Sequence, residues 1–294
     1  MAEILVLGMA VADFVFAMDQ LPDRAAKYRA NTVETVGGGC AANAAVAIAR
    51  LGGVAHLATR LGDDPMGDLI LSDLVAEGVR TQMAQRAPGG RSSFSSVCVD
   101  AAGERQIVNF RGDGLTQDTG WIKDAPPVDA VLADNRWTAG AARALDLARA
   151  RGVPGVVDAE APTEPEVLAR ASHVAFSRDG LLSFTGGDAL VPALREAAAR
   201  LPGWVCVTDG ANGTTCIDGG TAQHVPACAV EVRDTLGAGD IWHGAFVLAL
   251  AEGQGEVPAI RFANAAAALK CTTFGGRKGC PDRTDLDEFL KETS

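Results

Sequence analysis

The chain has 294 residues, 48% of them hydrophobic, with 26 basic against 37 acidic side chains and a formal charge of -11. It is long enough for one large core, and its acidic surface repels phosphate backbones and anionic lipid, which argues against nucleic-acid and membrane roles. The seven cysteines are scattered without a C-x-x-C pair and the four histidines lie far apart, so neither a disulfide framework nor a zinc site is expected.

The opening "MAEILVLGMA" lacks a basic leader, and "EILVLG" (3–8) reads as a buried strand. No apolar run approaches the ~18 residues of a membrane span, so a cytoplasmic protein is expected. Next come helix "AANAAVAIARLGG" (41–53), strand "VAHLATRLG" (54–62) and helix "MGDLILSDLVAEGV" (66–79). The rhythm continues through "DAVLAD" (129–134), "TAGAARALDLARARG" (138–152), "VPGVVDAE" (153–160), "VPALREAAARL" (191–201) and "GWVCVTDG" (203–210). Strand and helix alternating at this spacing predict an α/β fold of three layers, a mostly parallel sheet with helices on both faces. Residues 12–36 and 90–110 break the rhythm and read as hairpins, edge strands or together a small second sheet. No linker or repeat appears, so residues 1–294 are expected to form one domain carrying a small β lid.

Two glycine loops run into helices. "DTLGAGD" (234–240) precedes "IWHGAFVLALAEG" (241–253). Its backbone N–H groups, the helix dipole and the missing side chains of Gly237 and Gly239 make a phosphate cradle. Asp240 beside it is either a helix cap or a base, held ionised by the helix end, that takes the proton of a hydroxyl attacking the phosphate. The earlier loop, Gly37-x-Gly39-x-x-Ala42, fits a dinucleotide fingerprint only loosely, because it follows the hairpin region instead of the first core strand. Asn43, a polar amide in an apolar helix, needs a partner, which a substrate hydroxyl would supply.

"GGGCAANAAVAIARLGG" early and "DTLGAGD" late resemble the two signatures of the ribokinase-like (PfkB) carbohydrate kinases, and the resemblance covers essentially the whole chain. It implies ATP-dependent phosphorylation of a sugar hydroxyl. Asp240 matches the base, and Gly237, Ala238 and Gly239 match the anion hole. Asp13, Gly38, Gly39 and Asn43 match sugar positions, while Thr208, Gly210, Gly213, Asn264 and Gly276 fall in segments resembling the nucleotide site. The lid matches a substrate-covering sheet that in the family often pairs two subunits, which implies a homodimer. One departure stands out: the region matching the family's N-x-x-E motif for Mg2+ is "FSRDGLLSFTG" (176–186), which lacks it. Asp158, at the end of "VPGVVDAE", is then a candidate magnesium ligand or a solvated strand-end acid, and Asp234 a candidate for a monovalent-cation (K+) loop. His243, three residues after Asp240, reads as a packing histidine that could also approach the site.

Within the family, "VLADNRW" (131–137), "DIWHGAF" (240–246) and "ALKCTTFGGRKGCPD" (268–282) resemble the sulfofructose kinases, with ketohexokinases further off. That implies 6-deoxy-6-sulfofructose as substrate, with a neutral ketohexose or another sugar as the alternative. Arg136 follows a core strand, and Lys27 and Asn109 lie in the two hairpins, so the three together would suit a sulfonate. Asn43 departs from the small hydroxyl residue expected there in that subgroup. A dinucleotide-binding protein and a catalytically idle relative are the readings of a different class.

Overall fold

The computed structural model describes residues 1–293. The chain starts with β1 (Glu3–Leu7), then β2 (Val11–Ala17) and β3 (Thr32–Gly38), which leads straight into α1 (Cys40–Arg50). There follow β4 (Val54–Gly62), α2 (Pro65–Ala76), the short β5 (Ala84–Ala87), β6 (Phe94–Val99), β7 (Arg105–Phe110) and β8 (Ala130–Asp134). The middle alternates: α3 (Thr138–Arg151), β9 (Gly155–Ala159), α4 (Pro165–Leu168), β10 (His173–Ser177), α5 (Arg178–Thr185), α6 (Leu190–Arg200) and β11 (Trp204–Thr208). A hairpin of β12 (Thr214–Asp218) and β13 (Thr221–Val225) precedes α7 (Ala238–Ala251), α8 (Glu256–Cys271) and α9 (Arg283–Thr293).

The main sheet has nine strands in the order β13-β12-β11-β10-β9-β8-β1-β4-β5. Its pairs are parallel except β11 with β12 and β12 with β13. Both faces are covered, which is why β1 reads as an unbroken apolar run. Ile4 and Val6 pack among residues of α1, α7 and α8, while Leu5 and Leu7 pack among those of α3.

Helix α7 is buried on every side from Ile241 to Leu250, wedged between α1 and α8. Alanine and glycine make that crossing tight: a Cβ at Gly244 would stand 2.5 Å from the Ala44 carbonyl oxygen. The two helices therefore approach nearly backbone to backbone, and their N-terminal turns are brought to one place.

The two expected hairpins form a separate four-stranded sheet of order β3-β2-β6-β7. They are joined by a parallel pairing of β2 with β6 that hairpin signals alone could not reveal. β5 and β10 are strands the sequence reading passed over; both are short and carry no alternation to betray them. No helix is long and apolar enough to cross a membrane among the described residues.

Candidate active site

The site lies where the first turns of α1 and α7 meet the carboxyl ends of β8 and β9, under the small sheet. Helix α7 begins three residues earlier than its apolar pattern suggests, at Ala238. Gly237 is its N-cap, in a left-handed conformation at φ 77°, and no side chain caps the helix. The Ala238 N–H donates to the Thr235 carbonyl at 3.2 Å, so the Gly239 and Asp240 N–H groups, with the dipole, are the ones that present positive charge. A Cβ on Gly239 would meet nothing within 4 Å, so open space lies in front of these donors. That is a cradle shaped for an anion.

Asp240 stands in the first turn of α7 and is not its cap, which removes the plainer of its two readings. Its carboxylate Oδ2 accepts from Asn43 Nδ2 at 2.7 Å. The partner of Asn43 is thus a protein carboxylate, while Asn43 Oδ1 is buried without a hydrogen bond and remains free to accept one. Burial, and then the charge of Asp158, push the Asp240 carboxyl up to about 7 against the Asn43 hydrogen bond. The expectation that the helix end holds this acid ionised is opposed by burial and by the Asp158 charge, both of which raise the carboxyl.

Asp158, on β9, is buried, and its carboxyl is raised well above the ordinary range by burial and then by Glu160 and Asp134. It is no solvated strand-end acid. Its Oδ1 lies 3.5 Å from His243 Nε2, and neither atom has a full hydrogen bond. His243 Nδ1 faces the Gly239 carbonyl at 2.8 Å, so the ring donates there and turns Nε2 toward Asp158. The histidine is buried packing and also a neighbour of the site. One atom each of Cys40, Asp158 and Asp240 lie within 4.8 Å of one another. Burial raises the Cys40 thiol far above its usual value, so it is no ligand for a hard cation. For Mg2+ the chain therefore offers carboxylate oxygen only, and the orphaned Oδ1 of Asp158 fits that part.

Asp134, which the sequence reading missed, is a buried acid at the end of β8. It accepts from the N–H of Met9 at 2.7 Å and of Arg136 at 3.0 Å. A Cβ on Gly8 would stand 2.1 Å from its carboxylate, so Gly8 makes room for it. A strand-end aspartate in "VLADNRW" was the signal available.

In the small sheet, Asp13 on β2 pairs in register with Ser95 on β6, and Ser95 with Asn109 on β7. Register partners share a face, so the three make one polar row. Asn109 donates to Ser95 Oγ at 3.0 Å, and Ser95 was not foreseen. Asp13 also lies against the glycine turn: a Cβ on Gly38 would stand 2.4 Å from Asp13 Oδ2. Gly39, at φ 95°, is the N-cap of α1, and its Cβ would strike the Met9 carbonyl oxygen at 2.4 Å. The loose dinucleotide fingerprint thus follows a strand of the small sheet, not a core strand.

Arg136 forms an ion pair with Glu160, and Lys27 is exposed in the connection between β2 and β3. No hydrogen bond or ion pair joins any two of Lys27, Asn109 and Arg136 among the described residues.

Thr208, Gly210 and Gly213 form the end of β11 and the tight turn after it, with Gly210 at φ 53° and Gly213 at φ 87°. Gly276, at φ 59°, opens a short turn beyond α8 beside Val36 and Leu236. Asn264 departs from the nucleotide contact expected of it. Its carbonyl oxygen accepts from Thr214 Oγ1 at 2.9 Å and Trp242 Nε1 at 2.7 Å. Its amide donates to the carbonyls of Val225 and Pro226. Every position is spent inside the protein, so Asn264 ties α8 to α7 and the β12–β13 edge.

Residues 1–283 match the pfkB family of carbohydrate kinases. The chain is 31% identical to a ribokinase of Bacillus subtilis over 99% of this chain and 100% of that one. It is 30% identical to a fructokinase of Vibrio alginolyticus over 86% of this chain and 91% of that one. A crystal structure provisionally assigned as a ribokinase, from Agrobacterium tumefaciens, superposes with a TM-score of 0.93 at 37% identity, covering 99% and 98% of the two chains. The chain belongs to the pfkB family of carbohydrate kinases. It is accordingly an ATP-dependent sugar phosphotransferase.

Proposed function

We propose that Asp240 is the general base that takes the proton from a sugar hydroxyl while the first turn of α7, Gly237 to Asp240, holds the transferring phosphoryl group. The observation that carries this is the placement of a carboxylate, raised to about 7, next to an open cradle of backbone N–H groups. A base whose pKa lies near the operating pH is unprotonated often enough to work and still basic enough to accept. Asn43 orients the carboxylate and offers its free Oδ1 to a sugar hydroxyl. The row Asp13, Ser95 and Asn109 supplies further sugar contacts from above, with Gly38 and Gly39 letting the sugar approach the backbone. Thr208, Gly210, Gly213 and Gly276 line the nucleotide side. Asp158 contributes to Mg2+ binding, the phosphates and water doing the rest.

The substrate in this reading carries an anionic tail: 6-deoxy-6-sulfofructose, phosphorylated at the 1-hydroxyl. What supports it is Arg136 at the end of β8, beside Cys40 at the start of α1, with a guanidinium able to grip a tetrahedral anion. A second reading, a neutral sugar such as fructose or ribose, is favoured by the Arg136–Glu160 pair, which already neutralises that cation. It also agrees with the ribokinase and fructokinase relatives. A coupled ADP-release assay over sulfofructose, fructose, ribose and nucleosides decides between them; absence of sugar-dependent ADP release across the whole panel would sink the kinase assignment of these residues.

The small sheet is the lid and also the surface for a second copy. On the face opposite Asp13, Ser95 and Asn109, alternation places Phe14, Phe94, Phe110, Val33 and Val108. Val108 is 70% and Val33 58% exposed. A four-stranded sheet with apolar side chains on the outside is covered most simply by an identical sheet. We place the protein in the cytoplasm, where ATP is available.

A further inference from the structure

Asp234 and Lys270 form a buried ion pair that the reading of the active site does not use. Lys270, in the last turn of α8, is 0% exposed, and Asp234, ahead of the cradle loop, is 4% exposed. The Lys270 ammonium donates to the main-chain carbonyl of Asp234 at 2.7 Å and lies 3.4 Å from its carboxylate Oδ2. That carboxylate is fully used. Oδ1 accepts from Leu236 N–H at 2.9 Å and Arg105 Nη2 at 3.2 Å. Oδ2 accepts from Gly275 N–H at 3.0 Å and Gly276 N–H at 2.9 Å. Burial alone would raise the Asp234 carboxyl, but the Gly276 and Leu236 N–H groups and the Lys270 charge hold it below its ordinary value. The N–H groups of Arg233 and Asp234 both donate to the Cys271 carbonyl.

One ammonium and one carboxylate thus tie together the loop that becomes the cradle, the turn at Gly276, and Arg105 of the lid. A main-chain carbonyl and a carboxylate oxygen converging on one dry point is the ligand chemistry of a bound monovalent cation. The K+ expected at Asp234 does not fit these residues, because the point already holds a unit positive charge of similar size. A second cation beside it would meet strong repulsion in so buried a place.

We propose that Lys270 is a built-in cation: its tethered ammonium does the positioning work of a bound potassium ion, so this kinase acts without one. Lys270 touches no reacting atom and is a positioning residue. It acts through Asp234, whose loop sets the first turn of α7.

The test is a comparison of potassium chloride with choline chloride at equal ionic strength, on the whole protein. Sugar-dependent ADP release with MgATP and melting temperature are both read, so the inference can be judged even if the sugar is misassigned. For the unaltered protein, kcat/KM should change less than 2-fold and the melting temperature should not move as potassium rises from 0 to 100 mM. Lys270→Ala should lose activity ~100-fold or more in choline and regain at least 10-fold in potassium or ammonium chloride, with a matching rise in melting temperature. Lys270→Met, which fills the space with an apolar chain, should lose activity and regain none. If Lys270→Ala folds only when purified in potassium, that is the same rescue and supports the proposal. Several-fold potassium activation or stabilisation of the unaltered protein overturns it, as does a Lys270→Ala protein indifferent to potassium.

Discussion

The amide of Asn43 donates to the carboxylate of Asp240 at 2.7 Å, joining the first turns of two helices that lie 197 residues apart in sequence. The contact follows from packing, since Gly244 lets α7 lie on the Ala44 backbone and so sets the two N-termini side by side. The amide fixes the carboxylate's orientation, yet it leaves Asp240 raised to about 7. Replacing Asp240 with Asn keeps the shape and removes the proton acceptor. Asp240→Asn should lower kcat by roughly 10²–10⁴ with ATP affinity little changed. Isothermal titration with ATP beside steady-state kinetics measures both, and near-normal turnover would show that the base lies elsewhere.

The raised Asp240 carboxyl also sets a pH dependence. The group must be unprotonated to accept a proton, so kcat/KM should climb as pH rises through about 7 and level off above it. Asp158, Glu160 and His243 face it, and the Asp158 charge is the leading cause of the rise after burial. Asp158→Asn, by removing a like charge, should therefore move the limb to lower pH. A limb near pH 4 in the unaltered enzyme would show that Asp240 is solvated like an ordinary surface acid.

Gly237 and Gly239 do different things, and the structure separates them. Gly237 sits at φ 77°, where a side chain strains the backbone, whereas Gly239 has an ordinary φ and open space around its missing Cβ. Gly237→Ala should cost about 1 kcal/mol or more of stability. Gly239→Val should leave the melting temperature nearly unchanged, yet lower kcat/KM at least ~100-fold by filling the phosphate space. A folded Gly239→Val enzyme with normal turnover would place the anion somewhere other than this cradle.

Much of this site was legible because its chemistry is written in local sequence. Glycines ahead of an apolar helix announce an open helix N-terminus, and Asp240 within that run announces a carboxylate in its first turn. The helix start was misplaced by three residues because Ala238 and Gly239 carry no apolar periodicity. What could not be read is whatever depends on distant partners. Ser95 looks like any serine in "RSSFSS" until β6 is set beside β2, and Lys270 looks like a solvated helix-end charge until Asp234 arrives 36 residues away in sequence. Asn264 misled for the same reason: its four partners come from three other segments and use up an amide that seemed available to ATP.

The outer face of the lid gives a prediction about assembly. With Val33, Val108 and four phenylalanines (Phe14, Phe16, Phe94 and Phe110) on one face of a four-stranded sheet, the protein should be a dimer at micromolar concentration by light scattering. Val108→Lys together with Val33→Lys should shift it toward monomer, since they place a charge on each of the two edge strands of the apolar face. An unaltered protein of monomer mass at 50 micromolar would leave this face to some other use.

The proposed sulfosugar specificity is tested at Arg136. Its guanidinium lies at the end of β8 by the start of α1, paired with Glu160 and 3.5 Å from the Ala161 carbonyl oxygen. A sulfonate would have to compete with that carboxylate, so both residues bear on the same outcome. If the anionic tail binds here, Arg136→Ala leaves a buried sulfonate without its partner and should cost at least ~2 kcal/mol, about 30-fold, in kcat/KM for sulfofructose. The same change should barely alter fructose, which has no charge to lose. Glu160→Gln should act the other way, freeing Arg136 and lowering KM for sulfofructose more than for fructose, beside any change in kcat that both sugars share through the Asp240 carboxyl. Equal losses on both sugars in Arg136→Ala would make Arg136 a structural partner of Glu160 only. A preference of the unaltered enzyme for fructose or ribose over sulfofructose would transfer the assignment to a neutral sugar, with Asp13, Ser95 and Asn43 as its recognition set.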